Sequence, residues 1–85
     1  MSKRSYLTKR DKLLLFYLIR DRVNKLMEFK EVPESERDTI TLYLEIVRYV
    51  QLADTLHLDI NELIEPKEYL TMKKFLLLKG YEVDD

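Results

Sequence analysis

Apolar residues run unbroken from Leu13 through Ile19, seven positions that cover about two helical turns with no polar side. A helix that is apolar all round needs covering all round. Further on the pattern opens into a helical period. Phe16, Ile19, Val23 and Leu26 recur at 3-4-3 spacing, and Arg22, Lys25 and Glu28 point the other way. Leu14, Tyr17 and Leu18 fall on a flanking face. The spacing predicts a helix from about Lys9 to Phe29. Thr8, with Asp11 three residues on, reads as its N-cap with an acidic partner at N3.

Glu31–Glu36 breaks this pattern, because Pro33 disfavours helical geometry at Val32. A second helix is predicted from about Glu36 to Leu56. Ser35 with Asp38 gives one N-cap, and Pro33 near N1 gives a competing start. This helix carries two apolar stripes: Ile40, Tyr43, Val47 and Val50, then Leu42, Ile46, Tyr49, Ala53 and Leu56. Only Thr41, Glu45, Arg48, Gln51 (or Leu52) and Thr55 are left for a polar seam. A seam that narrow implies contact on two sides.

His57-Leu58-Asp59 is a second break. Asp59 and Glu62 read as a capping box for a short helix, Ile60–Ile64. Pro66 then opens a last helix to about Lys79, at the N1 position where proline is tolerated. Tyr69, Met72, Phe75 and Leu76 give its buried stripe, and Leu77 and Leu78 widen it. Gly80, the only glycine, suits a left-handed residue just past the last turn, with Tyr81 folding back toward Leu76.

The expected fold is all-α: an antiparallel helical hairpin of two long helices plus one or two short C-terminal helices, assembled as a helical-bundle homodimer. It forms one domain over residues 1–85, with a basic N-terminal arm at 1–7 and an acidic tail at 82–85. The short C-terminal helices are too small to cover every apolar face of the long ones. The surplus, Leu13, Leu14, Tyr17, Leu18, Leu42 and Tyr49, is the expected interface.

Composition narrows the chemistry. A chain of 85 residues buries only a little over ~60% of its unfolded surface, so association is one way to gain stability. There is no cysteine and only one histidine, which removes disulfides and thiolate metal sites and argues against a histidine-built metal site. Met1–Lys12 has charges where a signal peptide would be apolar, and the seven-residue run falls short of the ~18 needed to span a bilayer. An intracellular, cytoplasmic protein without membrane contact is expected. Asn24, Gln51 and Asn61 are the only amide side chains among many charged ones, a thermophile-like balance. Charge is unevenly placed: residues 1–30 carry nine Lys/Arg and three Asp/Glu, and residues 31–85 carry six and thirteen.

The candidate chemistry is sparse. His57 has no partner positioned by helical spacing, and a histidine at a helix C-terminus is explained by the helix dipole. Glu31, Glu34, Glu36 and Asp38 lack the spacing of a calcium loop and read as a solvated, dipole-favoured cluster. No catalytic residue, metal ligand, cofactor or small-molecule substrate is expected. The most site-like feature is the basic set Lys3, Arg4, Lys9, Arg10 and Lys12 with Tyr6 among them, which could grip phosphates. Lys9 and Arg10 sit where the helix dipole disfavours positive charge, a cost that a phosphate-binding role would explain.

Residues 52–63, Leu-Ala-Asp-Thr-Leu-His-Leu-Asp-Ile-Asn-Glu-Leu, resemble the closing segment of Cro/repressor-type helix-turn-helix domains. In that family this segment packs and does not read DNA, so the resemblance brings no binding residues to this chain. The turn that should precede it is absent, since no glycine comes before Gly80. Taken together, a small non-enzymatic helical regulator is expected, one that forms a homodimer and binds a protein partner. A virus or mobile element is its expected setting by analogy. The alternative is a nucleic-acid-binding regulator that uses the basic arm and the start of helix 1.

Overall fold

The computed structural model describes residues 8–83, so the N-terminal arm and the last two acidic residues lie outside it. Three α-helices make up the described chain: α1 (Lys9–Glu28), α2 (Glu36–Thr55) and α3 (Pro66–Leu78). A 3-10 turn, Ile60–Glu62, links α2 to α3.

The helix starts follow the side-chain chemistry. The Thr8 hydroxyl accepts from the Asp11 N–H at 3.0 Å, and the Asp11 carboxylate accepts from the Thr8 N–H at 3.3 Å. Two N–H groups that α1 leaves without a helical partner are thus satisfied reciprocally. Ser35 caps α2 by accepting from the Asp38 N–H at 3.1 Å, which settles its start against Pro33. α3 has no side-chain cap and begins on Pro66, whose missing N–H leaves one donor fewer to satisfy.

Two of the three helices end in the same way. Past α3, the Tyr81 N–H donates to the Leu76 carbonyl at 3.0 Å and the Gly80 N–H donates to Leu77 at 3.0 Å, with Gly80 at φ +91°. This is a complete Schellman motif on the expected glycine. Past α2, the Leu58 N–H donates to Ala53 at 2.9 Å and the His57 N–H donates to Asp54 at 3.0 Å, with His57 at φ +62°. The geometry is the same, built on a residue that has a Cβ. A left-handed conformation costs such a residue ~1–2 kcal/mol, and glycine's extra unfolded-state entropy returns about half of that. His57→Gly is therefore expected to stabilise the fold by about 0.5–1 kcal/mol, and Gly80→Ala to destabilise it by a similar amount. Urea titrations of the two variants check both signs.

α2 is the central element, packed against both α1 and α3. The core joins Ile19, Val23 and Leu26 of α1 to Leu42, Ile46, Val47, Val50 and Ala53 of α2 and to Met72 and Leu76 of α3. Leu63 and Ile64 complete it from the segment before α3. The two stripes of α2 thus have two customers. Arg22 of α1 pairs with Glu45 at 3.5 Å, and on the α3 side Tyr43 meets the edge of Phe75 at 5.3 Å between ring centres. Lys79, just past α3, pairs with Glu36 at the start of α2 at 2.9 Å. These ion pairs are half-exposed and add little beyond orientation.

The structure corrects the expectations in three places. Leu42 is buried in the core and is not surplus surface, because α1 and α3 together cover more of α2 than helix lengths suggested. Leu77 and Leu78 do not widen the α3 stripe but are 57% and 84% exposed, because Met72 and Leu76 already fill the contact with α2. The short helix at Ile60–Ile64 is only a 3-10 turn, and Asp59 accepts from the Asn61 N–H at 3.1 Å in place of a Glu62 capping box. Leu63 and Ile64 leave the turn to enter the core.

Candidate functional site

The main surface feature is the outer face of α1. Ile19, Val23 and Leu26 turn its inner face to the core. On the opposite side Leu13, Leu14, Tyr17 and Leu18 are 52%, 57%, 52% and 67% exposed. Leu13 and Tyr17, like Leu14 and Leu18, are four apart and therefore neighbours on the helix surface. Single exposed leucines are ordinary, but large apolar side chains grouped on one exposed face mark contact sites. The patch is also braced from beneath. Phe16 packs against the core, and its ring meets Tyr17 edge-on at 5.8 Å and 62°.

Beside the patch, the start of α1 faces the turn after α2. Lys9, Lys12, Leu13 and Phe16 line an open groove of about 330 Å³ with His57, Leu58, Asp59 and Glu62. No local pattern puts His57 there, since the placement depends on how α1 crosses the end of α2. A signal for it existed only in the left-handed geometry that the break after Leu56 requires. The groove mixes signs: two lysines share it with two carboxylates. A phosphate-gripping surface gains from a uniform positive field, and Asp59 and Glu62 weaken that field here.

The remaining candidates are scattered. Lys3, Arg4 and Tyr6 lie outside the described residues. Lys9 and Arg10 are exposed and Lys12 is half-buried. Leu42 belongs to the core, and Tyr49 is partly buried against it. Glu31, Glu34, Glu36 and Asp38 are exposed, and Glu36 is engaged by Lys79. Among the described residues no three His, Asp or Glu side chains converge as a metal site, and no buried residue is polar or charged. A hollow of about 290 Å³ between Lys30, Tyr43, Lys67 and Met72 also contains Glu68, which pairs with Lys30 across its rim.

Further apolar surface was not anticipated. Leu70 and Leu77 of α3, seven residues apart on one face, are 51% and 57% exposed. Phe29 and Val32, between α1 and α2, are 55% and 62% exposed. Among the described residues, no helix is long and apolar enough to cross a membrane. Compared with family models, with curated proteins and with solved structures, the chain has no match.

Proposed function

We propose that this chain is a small, non-enzymatic helical protein that acts by binding macromolecular partners and that associates with itself as a homodimer. The observation that carries the reading is the group Leu13, Leu14, Tyr17 and Leu18, each at least half exposed on the face of α1 opposite its core stripe. Covering a side chain that is half exposed gains roughly 1 kcal/mol or more. Two copies of the patch supply a gross gain on the order of 8–10 kcal/mol, within the range of ~4–15 kcal/mol that association costs. The expected dimer is therefore concentration-dependent and needs polar contacts to reach micromolar affinity.

Within each copy, α1 and α2 form an antiparallel hairpin in this reading. Its support is that residues from both ends of the pair share surface features. Phe29 and Val32 border one hollow with Asp38 and Leu42, while Lys12 and Phe16 border another with His57 and Leu58. The long axis of α1 thus leaves its outer face free along its whole length.

Sedimentation equilibrium of the full chain from about 1 to 100 μM tests the homodimer. A mass that climbs toward twice the monomer is expected, and a folded monomer throughout refutes it. One observation favours nucleic acid as a second reading: Lys9, Arg10 and Lys12 stand within the first turn of α1. That reading requires affinity for duplex or single strands that falls steeply with salt. Absence of binding at low salt excludes it.

A further inference from the structure

The exposed face of α1 has an order that its apolar content alone does not require. Arg10, Leu14, Tyr17 and Asp21 recur at 4-3-4 spacing, the 3.5-residue period of a helix–helix seam, and all are exposed. Leu13 and Leu18 flank this row on either side. The row is also symmetric about the midpoint between Leu15 and Phe16. Leu14 and Tyr17 lie equally far from that point, and so do Arg10 and Asp21, with opposite charges at the two ends. Asp21 is within 3.9 Å of Lys25 on its own helix, but both side chains are mostly exposed, 71% and 64%, so the pair is weak and the carboxylate stays accessible.

We propose that the occupant of this face is a second copy of the chain, with the two α1 helices packed antiparallel about a two-fold axis through that midpoint. A two-fold contact is self-complementary: whatever position meets another is met by it in return. Antiparallel pairing sets Leu14 of each copy beside Tyr17 of the other and Arg10 beside Asp21, giving an apolar centre closed at both ends by opposite charges. Parallel pairing in register would set Arg10 against Arg10 and Asp21 against Asp21, and so places like charges together at both ends. The charge order therefore selects one orientation, and it supplies the polar contacts that the apolar patch lacks. This orientation rests on the homodimer reading above and adds its register to it.

Charge reversal tests the register in the full chain. Asp21→Arg and Arg10→Asp are each expected to weaken association tenfold or more at low salt, since each leaves like charges at both ends of the seam. The double variant R10D/D21R restores opposite pairs and is expected to return to within about threefold of the original. Circular dichroism confirms that each variant remains helical. Spin labels attached at residue 28 give a second measurement that does not depend on the variants. Antiparallel α1 helices place them about 38 Å apart at ~1.5 Å rise per residue, whereas parallel ones leave them near ~10 Å. A dimer indifferent to both reversals, a double variant that fails to recover, or a short label distance overturns the antiparallel register and leaves the homodimer standing. A chain that is monomeric throughout overturns both.

Discussion

Ile46→Ala is expected to cost about 3–4 kcal/mol, the largest loss from any single truncation in this fold. Ile46 is fully buried on α2, the helix that both α1 and α3 pack against. Removing buried carbon loses its transfer energy and leaves a cavity that a packed core closes only in part. A domain of this size has ~4–13 kcal/mol in total, so the variant spends a large share of it. The thermal midpoint should fall by roughly 15–25 °C. The matched control is Leu78→Ala. Leu78 is 84% exposed on α3, and its loss should change stability by less than about 0.5 kcal/mol. Thermal melts of both at one protein concentration check the contrast. Equal losses would mean that Leu78 is covered in solution by something absent from the isolated chain.

Leu14→Glu and Leu18→Glu are expected to separate association from folding. Both side chains are more than half exposed, so a carboxylate at either position stays in water in the monomer, and helical content should not change. In the proposed dimer each substitution buries two carboxylates in an apolar contact, which costs several kcal/mol and weakens association by a hundredfold or more. A dimer stabilises its own fold by mass action, so melts belong below the dissociation range, where only the monomer is measured. Loss of helix there would show that these positions serve the core of each copy. Unchanged helix with unchanged mass would remove the patch from the interface.

Much of this architecture was legible from local chemistry. Thr8 with Asp11, Ser35 with Asp38 and Gly80 each mark a helix end through bonds made within a few residues, and Pro66 marks one through its missing N–H; none of these signals depends on the rest of the fold. The inner stripe of α1 followed from spacing for the same reason. What escaped was set by the third dimension. Leu42 and Tyr49 occupy one stripe of α2; its narrow polar seam implied contact on two sides, but nothing local says which residues of the stripe that contact covers. Leu77 and Leu78 follow Leu76 in a run of leucines, yet only one of the three can face α2. His57 takes a glycine's conformation without being a glycine, so a rule keyed to residue type passes over it. On the candidate site, the exposed leucines near the start of α1 were expected from their excess over one helical face. The acidic side of the neighbouring groove was not, since Asp59 and Glu62 reach it only through the crossing of two distant segments.

One feature of α1 bears on how the protein would respond to a partner. Its first buried residue is Ile19, so the ten positions Lys9–Leu18 contribute partial contacts only, through Lys12, Leu15 and Phe16. Short helical segments with little tertiary contact are marginal in water. The opening half of α1 therefore belongs to the low-stability end of the molecule, held by its cap and by Phe16, while the later half shares the cooperativity of the core. Anything that covers Leu14 and Tyr17 stabilises this half-helix as it binds. The surface and the stability of the segment that carries it are then one variable: weakening the cap at Thr8 would lower affinity without touching a contact residue, and a bound partner would lengthen the part of the chain that unfolds as a unit.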